Sequence, residues 1–438
     1  MRAGAGTALV SEPLRSMYCA AQHELRGGRD MRGLESNLAK LRLGRALVDG
    51  VMRQAGIVGN QRPAGARTNR TALTRVADFG ANPGALGMLT YVPERLASDP
   101  ALVVVLHGCT QDPAGYNDGS GWSDLADRHG FALLFPEQTA ANNPKACFDW
   151  FLPGDTTRDK GEALSIRNMI EQVVRTHGID LSRIYVTGLS AGGAMAAVML
   201  ATYPEVFAAG AIIAGLPFGA ASNVQEALNA MFQGRTRSPG EWGDLVRAAS
   251  QHEGPWPRVS VWHGGADQVV KPGNAAELVK QWTDVHGLPA APTERGSVDG
   301  HSREVWKDAS GAEIVERVSV AGMGHGTPLA VGAGEMEGGT AGAFMLDVGI
   351  SSTHHIATFF GLTAVSARPV EAARHDVVRL PSTESSADLE ALDGEILPPG
   401  RQEAARRGPA MFGVPDSLPP QVLDVIQNAF QAAGLVKR

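Results

Sequence analysis

The chain has 438 residues, 43% hydrophobic and 19% charged, enough apolar material to bury a full core without staples. Three cysteines exclude a disulfide scaffold at this size, and the apolar fraction excludes wholesale disorder. Lys+Arg 39 against Asp+Glu 46 gives a net charge of −7, which argues against a nucleic-acid partner.

The N-terminal apolar stretch is broken by Glu12, Arg15 and Glu24, so no secretory leader is expected. A cytoplasmic location follows, or an extracellular one if the natural start differs; Met17 and Met31 are alternative starts. No run reaches the roughly 18 uninterrupted apolar residues of a membrane span, and no membrane partner is expected. Residues 1–77 read as a helical extension and linker. Leu34, Leu38, Leu41, Leu43, Leu47, Val48 and Val51 form a helical stripe over 33–56, and 58–72 is rich in Gly, Pro, Asn and Arg.

The domain expected over 78–363 alternates strands and helices. Segment 85–92 alternates like a strand, and 101–106 (ALVVVL) is a continuous β-branched run suited to a sheet covered on both faces. A helix over 121–130 leads to a second apolar strand, 131–135, ending at Pro136. A helix over 162–177, closed by Gly178, precedes strand 183–187. Helix 191–203, strands 208–214 and 259–263 and helix 274–286 follow. Strands 303–307 and 313–320 flank the Asp308–Gly311 turn, and 351–361 reads as the last helix. Residues 364–438 read as a tail rich in Pro, Ser, Glu and Arg, with a terminal helix over 420–433. This order predicts an α/β fold, with a mostly parallel central sheet flanked by helices and terminal extensions, and chemistry at the carboxyl ends of the strands.

Gly188-Leu189-Ser190-Ala191-Gly192 stands between a strand and a helix. A G-x-S-x-G turn there projects a serine hydroxyl above the sheet, and aims the following amide at a developing oxyanion. Serine needs a base. The candidates after it are His252, His263, His286, His301, His325, His354 and His355. His325, in a glycine-rich loop past a strand, is free to face the site and is the expected base; His263 reads as structural. Asp267, after strand 259–263, is the expected acid that fixes the tautomer of the base; Asp299 is its rival. The second oxyanion amide is expected from Cys109, after strand 101–106, with His107 bracing that loop. Cys109 and Cys147 lie on consecutive loops. Either a bridge or two buried thiols fits them, the thiols being favoured by a cytoplasmic setting. With Cys19, they show no C-x-x-C spacing, so no metal site is expected. Tyr116, Trp122, Trp150, Phe151 and Trp262 fall near site-forming loops. They suit either a core or an apolar substrate groove, with Trp150, Trp122 and Tyr116 as groove candidates.

The segments LHGCTQ, GWSDLADRHGFALLFPEQ, CFDWF, GLSAGGAMAAVMLATYPEVFA, WHGGAD and GMGH together resemble the poly(3-hydroxybutyrate) depolymerase family of esterases. That family has the α/β-hydrolase fold and is similar to feruloyl and acetylxylan esterases. The resemblance spans about 80–363. It implies Ser190 as nucleophile, Asp267 as acid, His325 as base and Cys109 with Ala191 as oxyanion donors, with no cofactor. The chain differs from secreted depolymerases in lacking a recognisable Thr-rich linker or polymer-binding module. The expected activity is hydrolysis of short-chain hydroxyalkanoate esters, oligomers or polyester through an acyl-enzyme. Feruloyl or acetylxylan esterase activity is the alternative, and a binding-only hydrolase scaffold the non-enzymatic one. The partner is then a small-molecule or polyester substrate, and the sequence leaves the oligomeric state open.

Overall fold

The computed structural model describes residues 72–363. The helices expected over 33–56 and 420–433, nearly all of the 58–72 linker and the Pro- and Ser-rich tail lie outside the described residues. The sheet contains β1 (Thr74–Val76), β2 (Gly87–Tyr91), β3 (Leu102–Leu106), β4 (Ala132–Glu137), β5 (Ile184–Leu189), β6 (Ala209–Ile213), β7 (Arg258–Gly264), β8 (Glu294–Val298), β9 (His301–Lys307) and β10 (Glu313–Val320). Their spatial order is β1-β2-β4-β3-β5-β6-β7-β10-β9-β8. β4, β3, β5, β6, β7 and β10 run parallel. The two flanks, β1-β2 on one side and β9-β8 on the other, join them antiparallel. A separate parallel pair, β11 (Thr327–Leu329) with β12 (Met345–Asp347), follows β10 in the chain.

Every residue of β3, β5 and β6 is buried, as strands covered on both faces require. The helices are α1 (Pro113–Ser120), α2 (Trp122–His129), α3 (Pro153–Thr156), α4 (Gly161–His177), α5 (Ala191–Thr202), α6 (Val224–Gln233), α7 (Pro239–Arg247), α8 (Gly273–Val285) and α9 (Ser352–Phe359), of which α1, α2, α4, α5, α8 and α9 pack against the sheet. α5 has no polar face and all its residues are buried, the mark of a core helix. α4 ends where Gly178, at φ 64°, donates its amide to Val174 O, the glycine stop expected from sequence.

The expected parallel core is present, with two shifts. β1 falls before the expected boundary at residue 78. β4 continues through Pro136 to Glu137, in a stretch that pairs with β2 after its parallel pairing with β3 has ended at Leu134. Among the described residues no helix is long and apolar enough to cross a membrane.

Candidate active site

Ser190 sits between β5 and α5 with φ 58° and ψ −115°. This backbone conformation is sparsely populated for a residue with a Cβ and costs about 1–3 kcal/mol. The surrounding structure fixes it: Ser190 N donates to Ile213 O at 2.9 Å, and Ser190 O accepts from Ala194 N at 2.8 Å. A Cβ on Gly188 would lie 2.5 Å from the Gly192 carbonyl and 2.8 Å from Leu106 O, so only glycine lets β3, β5 and α5 close on one another here. The serine is nearly buried, and its hydroxyl makes no hydrogen bond to another described residue.

Asp267 follows β7 and is fully buried. Its Oδ1 accepts from the amides of Val269 at 2.8 Å and Val270 at 3.0 Å, and its Oδ2 accepts from His325 Nδ1 at 2.7 Å. The loop after β10 is tied to the loop after β7: Gly265 N donates to Val320 O and Ala266 N to Met323 O, both at 2.9 Å. The structure therefore joins the expected acid to the expected base, which fixes the imidazole with Nδ1 protonated and leaves Nε2 as the nitrogen open to a proton. The link from Nε2 to the Ser190 hydroxyl is not closed in this structure; such bonds often tighten only with substrate bound.

The rival acid is placed elsewhere. Asp299 lies in the turn between β8 and β9 and pairs with His355 Nε2 at 2.7 Å. His263 donates from Nε2 to Val270 O at 2.8 Å, and the same nitrogen lies 3.4 Å from Asp267 Oδ2. It is a structural group, as expected, that also faces the acid. His286 donates to Pro257 O, and burial lowers its pKa to about 4. His301 is the first residue of β9.

The amides of Cys109 and Ala191 make no hydrogen bond with the described residues, leaving two unpaired donors at the carboxyl ends of neighbouring strands. His107 braces this loop with both ring nitrogens: Nδ1 donates to Gly108 O at 2.8 Å, and Nε2 accepts from Gln138 N at 3.2 Å. Cys109 and Cys147 are joined in a disulfide with Cα atoms 4.3 Å apart, which corrects the preference for free thiols. Thr110 N reinforces the contact by donating to Lys145 O at 2.7 Å.

All three groove candidates are buried. Trp122 is fully buried, edge-on to Phe131. Tyr116 is also fully buried; burial pushes its phenol up to about 12, and its hydroxyl lies 3.3 Å from Thr327 Oγ1. Tyr116 thus supports the strand that follows His325 instead of lining a groove. Trp262 is core as well, its Nε1 donating to Ser260 Oγ. Trp150 is buried as well and stands edge-on to the partly exposed Phe151. Sequence reasoning missed Phe344, whose ring meets His325 edge-on at 6.1 Å. Its φ of 62° is unusual for an aromatic residue, and nothing in its local sequence signals this. Among the described residues no three His, Cys, Asp or Glu side chains gather as a metal site.

Residues 86–307 match the family model described as Esterase PHB depolymerase. Over 292 residues the chain is 47% identical to poly(3-hydroxyalkanoate) depolymerase C of Paucimonas lemoignei, a match covering 66% of this chain and 70% of that one. It is 36% identical over 269 residues to feruloyl esterase B of Talaromyces stipitatus, covering 59% and 74% respectively. Among solved structures it is similar to the acetyl xylan esterase from Aspergillus awamori, with a TM-score of 0.57 and 28% identity, over 67% of this chain and 100% of that one.

Proposed function

The chain belongs to the esterase PHB depolymerase family and is a carboxylic ester hydrolase of the α/β-hydrolase fold, and from that premise we propose that it cleaves hydroxyalkanoate esters, as oligomers or polyester, with Ser190, His325 and Asp267 as its catalytic triad. The observation that supports the triad is the 2.7 Å bond from His325 Nδ1 to buried Asp267, with the strained Ser190 turn two strands away at the same end of the sheet. Ser190 attacks the ester carbonyl while His325 Nε2 takes its proton. The Cys109 and Ala191 amides receive the oxyanion, each donor being worth about 3–4 kcal/mol in the transition state. His325 returns the proton to the leaving alcohol, and water then hydrolyses the acyl-enzyme by the same route. Phe151, partly exposed and backed by the buried Trp150 ring, is the apolar surface offered to the substrate.

The hydroxyalkanoate reading is supported by the higher identity to the depolymerase, 47%, than to the feruloyl esterase, 36%. Release of ferulate or acetate from plant polysaccharide is the second reading, supported by the likeness to the acetyl xylan esterase structure. The Cys109–Cys147 bridge favours an oxidising compartment over the cytoplasm expected above.

The test is a substrate panel of p-nitrophenyl butyrate, hydroxybutyrate oligomers, amorphous polymer, methyl ferulate and acetylated xylan. Hydroxybutyrate oligomers should give the highest kcat/KM among the natural esters. Preference for methyl ferulate or acetylated xylan overturns the substrate assignment. Ser190→Ala should lower turnover of every substrate by at least about 10³-fold, and lose fluorophosphonate labelling, while folding normally.

A further inference from the structure

The buried carboxylate at the head of α4 takes no part in the chemistry described so far. Glu162 is fully buried, which is costly for a carboxyl group and demands compensating bonds. Burial, and next the charge of Asp149, raise its pKa well above the ordinary value, against the hydrogen bonds it accepts. An apolar side chain would fill a purely structural position at lower cost.

Its bonds lead to both sides of the oxyanion loop. Oε1 accepts a hydrogen bond from Gln138 Nε2. The backbone amide of Gln138 donates to His107 Nε2, and His107 Nδ1 donates to Gly108 O, one residue before Cys109. Oε2 accepts from Asp149 N at 2.9 Å, two residues after Cys147 and one before Trp150. The disulfide closes the circuit between Cys109 and Cys147. Two further contacts hold this centre in place. Asn142 Nδ2 donates to Gln138 Oε1 at 2.7 Å. A Cβ on Gly84 would overlap the Glu162 backbone at 2.5 Å, so the loop before β2 closes directly over it.

We propose that Glu162 is a positioning residue for ester hydrolysis: by bonding Gln138 and the Asp149 amide together, it sets the Cys109 amide in the oxyanion hole and Trp150 beside it. The inference rests on the oxyanion reading of Cys109 above. Misplacing such a donor by a fraction of an ångström weakens transition-state binding more than ground-state binding. The effect should therefore fall on kcat and on tetrahedral analogues, and spare KM.

The experiment compares the full chain with Glu162→Gln, using p-nitrophenyl butyrate as substrate and butaneboronic acid as a probe that forms a tetrahedral adduct on the nucleophile. Glu162→Gln should lower kcat and boronate affinity at least tenfold each, with KM within about twofold and the disulfide intact. Gln138→Met breaks the same chain elsewhere and serves if Glu162→Gln does not fold. When both fold, the double variant should be no slower than the worse single one, because the two act in series. Wild-type boronate affinity and kcat in the folded variants, or a fall in kcat matched by a rise in KM without loss of boronate affinity, overturn the proposal. Failure of the wild type itself to turn over ester or bind boronate would instead reject the reading of the site.

Discussion

Burial pushes the Asp267 carboxyl up, but hydrogen bonds from His263 and His325, with the charge either ring can take, outweigh it and hold the group well below the usual carboxylate range. A folded-state pKa below the unfolded one stabilises the fold above the unfolded value, near 3.8. The stabilisation fades as pH falls toward the folded value. Asp267→Asn removes this linkage. Between about pH 5 and pH 3, the wild-type melting temperature should fall more steeply than that of the variant. Parallel curves from thermal melts across that range would show that the acid is not held charged by its histidines. The same substitution deprives His325 of the acceptor that sets its tautomer, so kcat should drop by about 10³–10⁴-fold. Phe344 belongs to the same scale: its strained backbone is held by the Gly342–Met345 pairing and by Thr327 N donating to its carbonyl at 2.8 Å.

The loops after β3 and β4 act as one element because of the Cys109–Cys147 bridge, which spans 38 residues. Loop-closure entropy for that span corresponds to about 4 kcal/mol of stabilisation at most. Cys147→Ser, which leaves the Cys109 amide in the chain, should cost about 2–4 kcal/mol in denaturant unfolding. At temperatures where the variant stays folded, kcat should still fall, by about tenfold, as the amide loses its anchor. Unchanged kcat in that variant would mean that the bridge serves stability alone. Much of this level is legible in the sequence, because buried parallel strands announce themselves as unbroken apolar runs, as in Leu102–Leu106, and the serine turn lies between two such clear elements. Other elements leave weaker traces. β8 is exposed along most of its length and carries no apolar alternation to find. α7 does carry a signal, Ser238 and Glu241 in a capping box with Pro239 at its start, that periodicity alone overlooks. Tyr116 and Trp122 expose the limit of reading aromatics near loops as a groove: sequence position places them close to the site, while burial depends on helices packing over them. Glu162 is hidden for the same reason, since a glutamate in the first turn of a helix ordinarily faces water and favours the helix dipole.

At the scale of the whole molecule, one parallel sheet gathers residues from five strand ends. Positions 109, 138, 190, 267 and 325 follow β3, β4, β5, β7 and β10 within a few residues. The whole chain carries a net charge of −7. Such a field repels anions over roughly a Debye length, about 30 Å at 0.01 M salt and about 8 Å at 0.15 M. Hydroxyalkanoate oligomers end in a free carboxylate, whereas p-nitrophenyl esters are neutral. Raising ionic strength across that range should therefore lower KM for the oligomers by about twofold, and leave KM for the neutral ester unchanged. Because the repulsion acts on encounter and not on the bound acyl group, kcat should stay constant for both substrates. Paired initial-rate measurements on the two substrates check this. An equal salt response for both would assign the effect to the protein's own conformation, and an oligomer KM that rises with salt would place a local cationic patch at the mouth of the site.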